Sequence, residues 1–242
     1  MSTSTSETGH NINVTNFSTL IIFCTGHGAI YNPIKPEIQI PQLQTKYDAS
    51  KLKLNATAAK LGLLNTAVNE RIIAFDGVEI LCTKVTNAFA VSGANDGDIE
   101  DLKTINKKIQ SPGKKKPDNP ADPTNPKSIS TSQQSYDSKV NFFKNFIQYL
   151  EAKPIYSPNE SDLRIPVLQA KLDEMELKNA AVDTAVFNFN QAKNQRTNEM
   201  YNPITGLVQA SKDVKKYARS VFGSNSPEFK QINSIEFKAI KK

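Results

Sequence analysis

Tryptophan is absent from the 242 residues, and cysteine and histidine occur only twice each. Two cysteines, Cys24 and Cys82, are too few for a disulfide framework in a chain of this size. Two histidines, His10 and His27, leave no Ser/His/Asp or Cys/His triad that can be argued. Long apolar runs are missing too. The longest, Leu20-Ile21-Ile22-Phe23-Cys24, falls far short of the ~20 residues that span a bilayer. Residues 1 to 13 are rich in Ser and Thr and have neither a basic n-region nor an apolar h-region, so no secretory signal is visible. The expected location is the cytoplasm, with a non-standard secretion route left open. Apolar content is low at 38%, so much of the chain must be surface, helix flank or tether.

What the chain does have is a repeat. Ile155-Tyr156-Ser157-Pro158, then Ile165-Pro166-Val167-Leu168-Gln169-Ala170-Lys171, echoes Ile30-Tyr31-Asn32-Pro33, then Ile40-Pro41-Gln42-Leu43-Gln44-Thr45-Lys46. The offset is a constant 125, and identities continue at Asp48/Asp173, Leu52/Leu177 and Lys53/Lys178. An ungapped match of this kind is the mark of internal duplication.

The offset also settles a local ambiguity. Val14 to Thr25 is rich in β-branched residues and alone suits a strand. Its counterpart places Phe142, Phe143, Phe146, Ile147 and Leu150 at helical spacing, so both segments are expected to be helices. Each ends in the Ile-Tyr-x-Pro turn, where proline holds the preceding Asn32 or Ser157 extended. The tyrosine is expected to pack beneath the turn with its hydroxyl finding a partner.

A long helix follows in each half. Leu43, Tyr47, Leu54, Leu61, Leu64, Val68 and Phe75 recur at intervals of three, four or seven. Leu168, Leu172, Met175, Asn179, Val182, Val186, Phe189 and Met200 do the same. Such seams mean helices packed in bundle or coiled-coil fashion, each of about thirty residues or roughly 45 Å. Pro41 and Pro166 suit the first turn. Asn179, standing where the first seam has Leu54, is a candidate for setting register. Arg71 and Arg196 share one place in the two seams and are expected to snorkel to water rather than form an anion site.

Beyond the arginines the offset becomes 130, as Val91/Val221, Gly93/Gly223 and Ile105/Ile235 show. Asn202-Pro203 reads as cap and first residue of a helix running to about Phe222 and stopped by Gly223. Its counterpart runs from about Gly77 to Ser92. Asp98 and Ser226-Pro227-Glu228 read as starts of further helices. Ser234 to Ile240 alternates like a strand, an extended arm or a pairing edge. Ser111 to Pro126 is rich in proline and lysine and reads as a stiff, solvated tether. The expected organisation is a flexible tail at 1–12, a helical repeat at 13–110, the tether at 111–130, a second repeat at 131–233 and a basic arm at 234–242. The fold class is all-α, an elongated bundle of two homologous repeats in pseudo-twofold arrangement.

Chemistry-bearing clusters are weak. Cys24-Thr25-Gly26-His27 has Cys-x-x-His spacing, and a zinc site joining it to Cys82 would need His10 or a carboxylate as the fourth ligand. The second half has Tyr149 and Ala152 at the matching places, so two buried thiols are the favoured reading. Gly26-His27-Gly28 and Ser92 to Asp98 lack the spacing of phosphate or calcium loops. Glu70 with Glu79, or Glu174 with Glu176, could be drawn as acid/base pairs, but no cleft accompanies them. No catalytic residue, cofactor or metal is expected.

Net charge is +6 and the pI about 9.1, with lysines gathered in the tether and tail. A nucleic-acid binder would use the tether together with Lys212, Lys215, Lys216 and Arg219. A membrane-active protein storing helix hairpins is a third reading. The favoured expectation is a non-enzymatic structural or scaffolding protein acting by self-association or protein binding. Its candidate contact residues are Ile235, Phe237 and Ile240 of the arm with Lys215, Lys216 and Arg219. Added strands of this kind bind by backbone hydrogen bonds.

The Ile-Tyr-x-Pro duplication, Tyr201-Asn202-Pro203-Ile204-Thr205-Gly206-Leu207, Lys215-Lys216-Tyr217, Ser220-Val221-Phe222-Gly223 and Ser226-Pro227-Glu228-Phe229-Lys230 together resemble a group of bacterial conserved hypothetical proteins. The likeness covers most of residues 14–237. It implies a free-standing bacterial protein and carries over no catalytic or binding residue.

Overall fold

Short polar side chains, glycines and prolines mark the helix borders in the computed structural model, which describes residues 8–110 and 135–238. The helices are α1 (Thr8–Gly26), α2 (Ile40–Phe75), α3 (Val78–Ala90), α4 (Asp96–Ile109), α5 (Tyr136–Glu151), α6 (Ile165–Tyr201), α7 (Leu207–Phe222) and α8 (Pro227–Ser234). Single 3-10 turns lie at Gly28–Ile30, Pro36–Ile38 and Ser161–Leu163. Among the described residues there is no strand, and the class is all-α. The tether expected at 111–130 lies outside the described residues.

Several borders differ from the sequence reading. α1 begins at Thr8 rather than after residue 12, because His10 and Asn13 have partners to hold them: both reach the Tyr201 hydroxyl, at 2.9 and 3.2 Å. α4 is capped by Asn95, whose side chain accepts from the Asp98 amide, so Asp98 lies inside the first turn. Asn202 does not cap α7. Its side chain accepts from the amides of Ile204 and Thr205, closing a turn, and Gly206 stands at the start of α7. A Cβ at Gly206 would come within 2.6 Å of the Asn202 backbone, so only glycine fits there. Gly223 ends α7 at φ +83°, a left-handed conformation in which a side chain is strained.

α2 and α6 are 36 and 37 residues long, roughly 54 Å each at ~1.5 Å per residue. Each contributes residues to both of the compact units into which the chain divides. One comprises residues 1–64 and 185–242, the other 65–184. These units cut across the repeat boundary: each draws elements from both halves of the sequence.

In the first unit, α1 presents Val14, Phe17, Leu20, Ile21 and Cys24 to a core completed by Tyr31, Ile38, Leu43, Met200, Leu207, Val214, Ala218, Ile232 and Ile235. α2 and α6 run antiparallel here, joined by Lys46 to Glu199 at 2.8 Å and Lys53 to Gln195 at 3.1 Å. In the second unit, Phe143, Phe146, Ile147 and Leu150 of α5 meet Val85 and Phe89 of α3, Leu102 and Ile109 of α4, and Leu168, Leu172 and Met175 of α6. Each fully buried Phe or Leu contributes about 1.5–3 kcal/mol, so these clusters dominate the stability of the two cores.

The two turn tyrosines behave alike. Tyr31 donates to the Ile38 carbonyl and Tyr156 to the Leu163 carbonyl, both at 2.7 Å and both buried. Burial raises both hydroxyl pKa values, that of Tyr156 to about 12, so each remains a donor at any ordinary pH. The arginines differ. Arg71 is half-buried, its guanidinium 3.8 Å from the Tyr136 ring centre and 3.2 Å from Asn179 Oδ1. Asn179 in turn donates to Asp137, so this asparagine is tied into a polar network rather than sunk in a seam. Arg196 is 4% exposed and does not snorkel to water as expected.

Replacing Tyr156 by Phe strands the Leu163 carbonyl while keeping the ring. Loss of about 1–3 kcal/mol is expected, read as a lower urea midpoint at unchanged slope. A midpoint equal to wild type would mean that the hydroxyl bond contributes nothing.

Candidate functional site: a docked arm and an open groove

The residues singled out from the sequence gather at one place in the first unit, but they serve the chain itself. After α8 the backbone is extended at Ile235, which is 9% exposed. Phe237 packs edge-on against Phe17 with ring centres 6.3 Å apart. Asn13, wholly buried in α1, holds Lys238 from both sides: its Nδ2 donates to the Lys238 carbonyl at 2.9 Å, and its Oδ1 accepts from the Lys238 amide at 2.7 Å. Asn16 adds a bond to the Glu236 carbonyl at 2.6 Å. A pair of side-chain amides thus does what a neighbouring strand would do.

Lys215 secures the same arm from α7. Its ammonium donates to the carbonyls of Asn233 at 2.9 Å and Ile235 at 2.6 Å, groups left open where α8 ends, and it lies 5.8 Å from the Phe237 ring centre. Desolvation lowers its pKa, opposed by the charge of Glu236. Lys216 and Arg219 are exposed on the same helix. Ile240 lies outside the described residues. Ile235, Phe237 and Lys215 are therefore brought together by the fold, as an internal clasp. Asn13, which organises it, was missed because a lone asparagine in a helix carries no sequence signal.

The cysteines are not a site. Cys24 and Cys82 lie in different units, each wholly buried, and burial pushes both thiols up to about 12. Thiols so protonated are poor nucleophiles and poor ligands at neutral pH. His27 packs its ring against Phe222 with centres 4.6 Å apart. No group of three or more His, Cys, Asp or Glu side chains among the described residues is placed to hold a metal.

An open groove lies in the second unit. It has a volume of about 600 Å³ and runs between the turn at Tyr156 to Leu163 and the face of α3 bearing Lys84, Asn87, Ala88 and Val91. The matching place in the first unit is closed. There Tyr217 of α7 lays its ring edge-on against Tyr31 at 5.3 Å and 88°, and its hydroxyl accepts from the Asn32 amide at 3.1 Å. Beside it, Lys35 and Asp213 form an ion pair at 2.6 Å.

The burial pattern supplies the register between the two helices. Leu207, Ser211 and Val214 of α7 are buried as Val78, Cys82 and Val85 of α3 are, an offset of 129 within these helices, while Gly93 and Gly223, both at positive φ, stand at the offset of 130 read from the sequence. In that register Tyr217 corresponds to Ala88, and Asp213 to Lys84. At the turn Lys35 corresponds to Glu160, so the two positions carry charges of exchanged sign. The core absorbs part of the difference: Phe89 is buried where the first unit has Ala218, its ring 6.1 Å from that of Tyr156.

No family model, curated protein or solved structure matches this chain. No helix among the described residues is long and apolar enough to cross a membrane.

Substituting Asn13 by Leu keeps the volume but deprives Lys238 of both backbone partners. The expected outcome is fast amide exchange at Lys238 and a stability loss of about 1–3 kcal/mol, with α4 and α5 unaffected in exchange rate. Undiminished protection at Lys238 would show that the arm is held without Asn13, by Ile235, Phe237, Asn16 and Lys215.

Proposed function

We propose that the protein is a non-enzymatic scaffold, made of two copies of one helical unit in a pseudo-twofold arrangement, which acts by association with a second copy of itself. The duplication is supported by the 125-residue offset and by the identical Tyr31 and Tyr156 hydroxyl bonds. The observation that carries the association is a stripe on α2. Leu52, Ala56, Ala59 and Leu63 recur at intervals of four, three and four, and all are exposed, Leu52 at 66% and Leu63 at 58%. Leu177 of α6, at the position matching Leu52, is also 66% exposed.

Alternating leucine and alanine at this spacing is the seam of a helix pair, with alanine allowing close approach. The reading takes association away from the C-terminal arm, whose Ile235 and Phe237 are engaged within the first unit's core. It also differs from a nucleic-acid role, since Lys215 already binds two carbonyls and the tether lysines lie outside the described residues.

Apolar contact persists when salt is raised, whereas phosphate binding weakens steeply. Light scattering at low and high salt is expected to give a mass rising with concentration above the 26.7 kDa of one chain. The doubly substituted Leu52→Glu, Leu63→Glu variant is expected to stay at that mass with unchanged helicity. A wild-type protein that keeps the mass of one chain across the concentration range overturns the reading.

A further inference from the structure

We infer that the open groove of the second unit is a binding site for the tyrosine side chain of a partner protein. The inference does not involve the α2 stripe and stands apart from self-association. Its basis is an internal precedent. The same turn, with the same buried tyrosine, meets a helix face in both units, and in one of them a tyrosine already fills the space. Tyr217 supplies a ring for the edge of Tyr31 and a hydroxyl for the Asn32 amide. Ala88 supplies neither, and a groove of about 600 Å³ stays open between this helix face and the turn.

The chemistry of the groove suits a phenol. Its apolar lining is Ala88, Val91 and Leu163 beside Tyr156, which is itself 6% exposed, so a ring seated there gains chiefly by apolar burial. At its mouth is the Ser157 amide, at the position of Asn32, and no acceptor among the described residues takes that N–H. A phenol oxygen placed as Tyr217 places its own would accept from it. The rim carries Glu160 and Asp162 against Lys84, so a basic residue beside the tyrosine matches the charge, as Lys216 precedes Tyr217.

The segments outside the described residues supply no ring. Residues 1–7, 111–134 and 239–242 contain no Phe, Tyr or Trp. Nor does a second copy offer a ready tyrosine. Tyr47 packs against the first unit's core, Tyr136, Tyr149, Tyr201 and Tyr217 are each engaged by other residues of their own chain, and Tyr31 and Tyr156 are buried. A lone ring with one hydrogen bond binds weakly, in the range of roughly 1 mM, and the remainder of a natural interface would have to come from residues flanking it.

N-acetyl-L-tyrosinamide titrated into the isotope-labelled full chain tests this by two-dimensional amide NMR. Saturable shifts centred on Ser157 and Ala88 are expected, several-fold weaker with N-acetyl-L-phenylalaninamide and absent with N-acetyl-L-alaninamide. Ala88→Tyr fills the groove from within and is expected to abolish the shifts. Tyr217→Ala opens the matching space in the first unit and is expected to add a second set of shifts at Asn32. Absence of a saturable shift at Ser157 in the wild type overturns the inference, as does undiminished binding in a folded Ala88→Tyr variant. Should Ala88→Tyr fail to fold, the Tyr217→Ala protein decides: no new shift at Asn32 means that the space beside these turns does not select a phenol.

Discussion

A buried phenol that has to donate its proton is the constraint on which both cores are built. The ring of Tyr31 or Tyr156 is apolar surface best kept from water, while its hydroxyl cannot be left without an acceptor. In both turns the acceptor is a carbonyl seven residues onward, and reaching it folds the chain tightly around the ring. Pro33 and Pro158 disfavour helix in the residue that follows each tyrosine, so the chain turns there rather than continuing. Ile38 or Leu163 is thereby drawn into the core, and the first turn of α2 or α6 starts from a defined place. Helices as long as these need a defined start, because a shift of one residue rotates every later side chain by about 100°.

That constraint is local, and local features were legible. Apolar spacing in 142–150 identified α5, and the duplicated turn carried the helical assignment over to α1 against its β-branched composition. The long seams of α2 and α6 were visible from their leucines and prolines. Three-dimensional partnership was not visible. Nothing in the spacing of Leu43 or Met200 says that the beginning of α2 shares a core with the end of α6, because a seam specifies a face and leaves its partner open. Arg196 shows the same limit: a long charged side chain at a seam edge can snorkel or be buried, and tertiary neighbours decide which. Asn202 fitted a helix cap equally well as a turn, and only the space that Gly206 leaves for its backbone selects the turn.

The arm at 235–238 illustrates how an alternating pattern can mislead. Alternation records that one side of a segment is buried, and a sheet is merely the commonest way to bury it. Here the buried side faces α1 and α7, and backbone groups that a strand would pair are met by Asn13, Asn16 and Lys215. The segment has the sequence signature of an edge strand while its hydrogen bonds are spent on side chains. An extended segment so satisfied has little left with which to recruit another chain.

The middle of the long helices inverts the usual distribution. Ser50 and Thr57 are buried to 0% and 1% exposure, while Leu52 and Leu63, on neighbouring turns of the same helix, face outward. Thr57 manages its burial by donating to the Lys53 carbonyl at 2.8 Å, with the Ala192 carbonyl of α6 at 3.3 Å. Small residues at that contact let two backbones approach closely, which bulky leucines would prevent. A helix whose inward positions must be small has its large apolar side chains displaced to other faces. Single exposed leucines are ordinary on protein surfaces, but leucines in register at eleven residues with alanines between them make a continuous ridge. Exposing such a ridge carries a solvation cost that burial against a like ridge removes, and this is the physical ground for assigning α2 a role in association.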